Sequence, residues 1–214
     1  MRDLASSTVL IGSNLVSFSR DTPTEAREDI LDALSLAAFI ANEKFNQKTM
    51  WAKWIHHYQL GLYANGFLLS SALKTNSVTI NRIQDLPSAA GTAIQTAGYS
   101  QPSISMLNQL ARSALDALLG SQHAQLFFRD WSHADRSQSF QVVPCMKNHR
   151  GEIDVMVCGM QMTSRTLRSA RPGAELTVLI DGGGYRYSKL TYDSHRNRVG
   201  LELTKRTELA FHNL

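Results

Sequence analysis

Two cysteines in 214 residues are too few for a disulfide framework. Neither they nor the seven histidines fall at a paired-Cys or Cys/His spacing suited to zinc, so no metal is expected. The opening MRDLASSTVLIGS lacks a basic start followed by a long apolar run, and Asp3 stands where positive charge would be wanted. A secretory leader is therefore not expected, and the setting expected is cytoplasmic, or reached by a signal-peptide-independent route. Charge is scarce in the middle of the chain. From Trp54 to Ala111 only Lys74, Arg82 and Asp85 are ionic, three in 58 residues, against 19% charged residues overall. There is no dense basic stripe, so nucleic acid is not an expected partner.

What is present fits one folded domain. The length suffices for a single substantial core, and 43% hydrophobic residues exclude global disorder. The net charge of +4 lies wholly in the C-terminal part: residues 1–128 carry nine Lys/Arg and nine Asp/Glu, and residues 129–214 carry thirteen and nine.

STVLIGSNLVSFS holds two β-favouring runs around Gly12, Ser13 and Asn14, which reads as a hairpin or two short strands. In DTPTEAREDILDALSLAAFIANEKF, Thr22 can cap, Pro23 suits the first helical position and Glu25 follows three residues after the cap. Ile30, Leu34, Ala37, Ala41 and Phe45 then recur at helical spacing.

WIHHYQLGLYANGFLLSSAL, residues 54–73, has no charged side chain and is assigned to a second helix from Thr49 to Lys74. Trp51, Trp54, Ile55, Tyr58, Leu62, Leu69 and Leu73 gather on one face, Leu60, Phe67 and Leu68 form another ridge, and His56, Gln59, Tyr63 and Ser70 make a polar wedge. A helix apolar nearly all round is buried in protein or lies in lipid. Burial leads, because two histidines, Gln59 and Asn65 would need partners in hydrocarbon. Adjacent histidines on a helix point about 100° apart and cannot chelate one ion. His56 is expected at the surface and His57 in the core, toward Leu68.

Further on, SVTI reads as a strand, and a small-residue helix follows Pro87. Another helix opens at Pro102 and Ser103 and stops at Gly120, and HAQLFFRDW continues the helical part. SFQVVPCMKNHRGEIDVMVCGMQM reads as a hairpin turning at NHRG. Ile153, Val155 and Val157 alternate with Met156, Cys158 and Met160, so this strand should be central and covered on both faces. Pairing of Lys147 with Glu152 would set Cys158 opposite Gln141, far from Cys145, so no bridge is expected. ELTVLID, a GGG turn, YRYSKLTYD, an SHRNR turn and VGLELTKRTELAFHNL complete an antiparallel meander, which the first strand is expected to join.

The expected fold is thus a single α+β domain. About four to five helices over residues 22–131 form a bundle packed on an antiparallel sheet or small sandwich, made of the C-terminal meander (138–214) and the N-terminal strands (1–20).

Chemical motifs are weak. DGGGY lacks the lysine and helix of a phosphate loop and reads as a turn. Ser71 and Lys74 have the spacing of a serine–lysine pair, but at the end of a helix. His133 near Asp135, and Cys145 near His149, show no geometry of activation. Tyr185 and Tyr187 share a strand face with Lys189 and read as packing rather than a stacking platform for bases. Arg165, Arg168 and Arg171, at three-residue spacing, form a candidate contact for anions or lipid headgroups. No catalytic or metal-ligating residue and no cofactor is assigned.

The charge-poor belt 54–111 must be hidden by the fold, another copy, a partner or a membrane. The leading expectation is a non-catalytic interaction or assembly protein, self-associating or binding a protein partner through Trp51, Trp54, Tyr58, Leu62 and Phe67. One alternative is a membrane-active, toxin-like protein that stores uncharged helices and releases them at anionic lipid. The other is an enzyme whose site is assembled from residues distant in sequence.

Overall fold

A computed structural model describes residues 7–121, 137–164 and 176–212, and these residues form an α+β fold with five α-helices and a seven-stranded sheet. A tight turn at Gly12, the left-handed position (φ 56°), joins β1 (Ser7–Ile11) to β2 (Asn14–Phe18), as the hairpin pattern requires. Next come α1 (Thr24–Lys44), α2 (Trp51–Ala64), β3 (Leu68–Ala72) and β4 (Asn76–Ile80). They are followed by α3 (Leu86–Ile94), α4 (Gln101–Leu119), β5 (Ser137–Lys147), β6 (Ile153–Ser164), β7 (Leu176–Tyr187) and α5 (Lys189–His212).

The sheet runs β1-β2-β5-β6-β7-β3, with β4 also on β7. β3 and β4 both run antiparallel to β7, so residues 68–80 act as one interrupted edge strand. The N-terminal strands join the C-terminal ones as expected, but β2 lies parallel to β5 in an otherwise antiparallel sheet.

β6 alternates as its sequence requires. Ile153, Val155 and Val157 pack with α1, α2 and α5, while Met156, Cys158, Met160 and Met162 pack with α3 and α4. The helices therefore cover both faces of the sheet, each helical layer turning its apolar stripe inward. Layers approach closely where side chains are smallest. A Cβ on Gly61 would stand 3.1 Å from Ala37 of α1, and one on Gly159 would stand 2.7 Å from Ile55 of α2.

Five expectations about the elements are corrected. The second helix ends at Ala64 rather than Lys74. Gly66 takes φ 88°, and the Gly66 and Phe67 amides donate to the carbonyls of Tyr63 and Leu62, closing the helix in a Schellman turn. Beyond that turn Leu68 and Leu69 belong to β3, and Leu73 follows directly after it.

The GGG stretch is not a turn, since β7 runs straight through it. A Cβ on Gly182 (φ 156°) would run into the Val157 carbonyl, and one on Gly184 would run into Ser71 and Tyr99. These glycines let neighbours approach a strand.

The last segment, expected as strands, is α5. The alternation of Val199, Leu201 and Leu203 is overridden by a helical stripe in which Tyr192 and Val199 are buried and Leu203 packs partly, while Leu201 is 63% exposed. The hairpin at NHRG forms one residue out of the expected register, with Lys147 opposite Ile153 and Cys158 opposite Val142. Thr22 also does not cap α1 with its side chain; its hydroxyl shares a 2.9 Å hydrogen bond with Ser19.

Candidate interaction surface

The five aromatic and leucine side chains expected at an interaction surface lie inside the fold. Trp51 is 2% exposed, and Trp54, Tyr58, Leu62 and Phe67 are fully buried. Trp54 stacks on Tyr58 at 5.1 Å. The Trp54 indole donates to Asn42 Oδ1 at 2.7 Å, and the Tyr58 hydroxyl donates to Asn14 Oδ1 at 2.8 Å. Phe67 lies beyond the helix end, against Tyr187 and Tyr192. In this fold these residues offer no contact surface, because the protein's own helix–sheet interface uses their apolar area. Most of the large apolar side chains of the charge-poor belt are hidden likewise, against one face of the sheet or the other.

Other candidates also resolve. Cys145 and Cys158 are buried free thiols. Burial pushes Cys158 up to about 12 and Cys145 higher still, so neither is a nucleophile. Ser71 and Lys74 flank a strand end, and Ser71 Oγ is buried beside Tyr99, whose hydroxyl shares a 2.5 Å hydrogen bond with Ser70. Burial raises the Tyr99 hydroxyl above its usual range, so it is no base. Tyr185 and Tyr187 are buried and donate to Gln59 and Asp29, leaving no free stacking face. His56 is exposed as expected, and His57, expected in the core, is only half-buried and packs edge-on against Phe45 at 5.5 Å. Among the described residues no group of three His, Cys, Asp or Glu could hold a metal ion, and no helix is long and apolar enough to cross a membrane. His123, His133, Asp135, HAQLFFRDW and Arg165, Arg168 and Arg171 lie outside the described residues.

Among the large apolar side chains left open to solvent, four lie near one another in the chain, on α2 and on β3 at the sheet edge. Leu60 is 48% exposed, Tyr63 64%, Leu68 47% and Leu69 60%. Lys53, His56, Leu60 and Tyr63 recur at helical spacing on the outward stripe of α2. Leu68 and Leu69 belong to β3, opposite Arg186 and Tyr185 of β7, and among the described residues no strand pairs with the outer side of β3.

The surrounding charge is one-sided along the chain. Between Glu43 and Asp85 there is no acidic residue, while Lys44, Lys48, Lys53, Lys74, Arg82 and two histidines occur. Arg198 of α5 adds to this rim, donating to the Ala64 carbonyl and to Asn65 at the C-terminus of α2, where a cation suits the helix dipole. Carboxylates are near as well: Glu152 and Asp154 pair with Arg186 opposite Leu68, and Asp181 interacts with His56. Burial raises the Asp181 pKa, opposed by hydrogen bonds from the Gly182 amide and Thr75 and by the charge of His56.

Helical periodicity set Tyr63 on the polar wedge and Leu60 on an apolar ridge, and it misplaced Leu68 and Leu69 because it extended the helix through Asn65–Gly66. The signals that could have found them are that dipeptide and the 41 residues without acid between Glu43 and Asp85.

No protein-family model matches the chain, and no curated protein matches its sequence. Among solved structures it is similar to a delta-endotoxin, at 13% identity and a TM-score of 0.48, over 84% of this chain and 85% of that one. It is also similar to the Evf virulence factor, at 13% identity and a TM-score of 0.36, over 92% of this chain and 82% of that one.

Proposed function

We propose that the protein acts at anionic membrane surfaces, docking through the outward stripe of α2 and the edge strand β3. The observation that carries this reading is the apolar group Leu60, Tyr63, Leu68 and Leu69, exposed within a 41-residue segment that holds five Lys/Arg and no acid. Leucines gain from entering the acyl boundary, a tyrosine suits the headgroup level, and lysines attract anionic headgroups. Each basic residue at such a surface is worth about 1 kcal/mol, and each leucine that leaves water about 1–2 kcal/mol. Binding of this kind is reversible and salt-sensitive.

Vesicle co-sedimentation tests it. Vesicles of phosphatidylcholine with phosphatidylglycerol should retain the protein at low salt, phosphatidylcholine alone should not, and L60D/L69D should abolish retention without changing the far-UV spectrum. Failure to bind the anionic vesicles at low salt would overturn the proposal.

A second reading, self-association, is favoured by one observation: the outer edge of β3 is unpaired among the described residues and flanked by leucines. It predicts a dimer by light scattering at micromolar concentration without vesicles, lost in L69D. A dimer that ignores anionic vesicles would transfer the patch to this reading.

A further inference from the structure

A second feature lies along the outward side of α1. A pocket of about 210 Å³ is lined by Ile11, Ser13, Asn14, Phe39, Asn42 and Gln47 among others. A more open groove of about 730 Å³, whose walls include Asp32, Leu203, Thr204 and Thr207, continues from it toward α5. Ile11, Ser35 and Phe39 line both, so the two form one trough with Phe39, 37% exposed, as the shared wall. Asp32, Ser35, Phe39 and Asn42 follow one stripe of α1, which at 1.5 Å per residue makes the trough ~15 Å long.

Its chemistry is specific. The inner pocket has no charged side chain; its polar groups are amides and hydroxyls. Gln47 Nε2 donates to Ser13 Oγ at 3.2 Å, and Ser13 Oγ donates to Gln141 Oε1 at 2.9 Å. Asn42 Oδ1 accepts from the Trp54 indole, which turns its amide nitrogen away from that ring. Ions would find no counter-charge in the inner pocket, and a purely apolar ligand would desolvate its amides and hydroxyls with no hydrogen bond in return.

We propose that this trough binds a short neutral glycan of two sugar rings. One ring would lie in the amide pocket and the next in the open groove, with an apolar sugar face against Phe39. Sugar hydroxyls donate and accept, which matches Asn42, Gln47 and Ser13 within the pocket and the Asp32 carboxylate and threonine hydroxyls outside it. Asp32 also selects against acidic sugars, since like charges repel. This surface is separate from the α2–β3 patch, so the inference does not rest on the membrane proposal.

The test is chemical-shift mapping on the full chain with cellobiose, maltose, lactose and N,N′-diacetylchitobiose. At roughly 10 mM a sugar fills about nine-tenths of a site with a Kd near 1 mM. The expected result is that at least one perturbs amides of residues 11–14 and 32–47, that F39A weakens its binding at least about tenfold, and that S35W blocks it. Phe39 and Ser35 are not fully buried, and thermal melting of each variant checks its fold. Should S35W not fold, F39A decides alone. The proposal is overturned if no neutral disaccharide perturbs the trough, if binding survives F39A, or if only an acidic sugar such as glucuronate binds.

Discussion

Gly182 shows what one residue contributes to this sheet. It holds φ 156° where β7 passes Val157, and a Cβ there meets backbone, which has no rotamer to give. Gly182→Ala is expected to cost about 3 kcal/mol or more, read as a fall in the urea midpoint; Gly12→Asn, in an open left-handed turn, should leave that midpoint nearly unchanged. An unshifted G182A would show that β7 does not lie as described. The two thiols give a second residue-scale expectation. Buried and pushed to high pKa, Cys145 and Cys158 should ignore Ellman's reagent in the native protein and react fully once it unfolds. Asp154 gives a third. Burial raises its carboxyl, opposed by Asn148 and Arg186, so the folded state holds the proton more tightly than the unfolded state. The penalty on the charged form is present above its folded pKa and vanishes as pH falls below the ordinary aspartate value. Asp154→Asn should therefore raise the urea midpoint at pH 7, with the gain narrowing toward about pH 4.

At the scale of elements, α5 is the part held mainly by charge. Of its described side chains only Tyr192 and Val199 are buried. Its attachments to α1 are ionic: Arg196 grips Asp29 through two hydrogen bonds of 2.8 and 2.6 Å, Lys189 reaches Glu25, and Arg206 pairs with Glu43 and, within the helix, with Glu202. Asp29 is 6% exposed and also accepts from Tyr187. Arg196→Met leaves that carboxylate without its cation. Because Arg196 is itself about a third exposed, the cost should be about 2 kcal/mol rather than that of a wholly buried pair. Adding Asp29→Asn should recover part of it in a double-mutant cycle, and full additivity would sink the pairing. Arg206 and Lys205 hold Glu202 below the usual glutamate range. Its stabilising contribution is present above the ordinary glutamate value and is lost as pH falls through the lower folded one. Hydrogen-exchange protection should thus be lower in α5 than in α1, and should fall further in α5 below about pH 4.3.

Elements also differed in how well they could be read. α1 was legible because an early proline and an apolar stripe agreed, and α4 because an early proline and a stop at Gly120 did. The β5–β6 hairpin was legible because a turn sat between two alternating runs. α5 was not, since a segment with few apolar residues carries too little period to separate strand from helix, and its partners, Asp29 and Glu43, lie more than 150 residues away in the chain.

For the whole molecule, the sheet is shared. Leu15 and Val16, or Val155 and Met156, send neighbouring side chains into cores on opposite faces, so neither helical layer can lose its footing without disturbing the strands that support the other. Unfolding is expected to be one transition, coincident by tryptophan fluorescence, whose signal includes the buried Trp51 and Trp54, and by far-UV circular dichroism, which reports the helices. Two separated transitions would mean that the layers are independent.

Composition and periodicity alone determined the α+β class, the two-faced central strand, the free cysteines and the need to hide residues 54–111, because each follows from local spacing and from what water will not tolerate. Only the tertiary structure decided where that belt is hidden, that the helix stops at Gly66, and which leucines remain outside. Those outcomes depend on which distant surfaces meet, and burial is a property of the pair rather than of either segment.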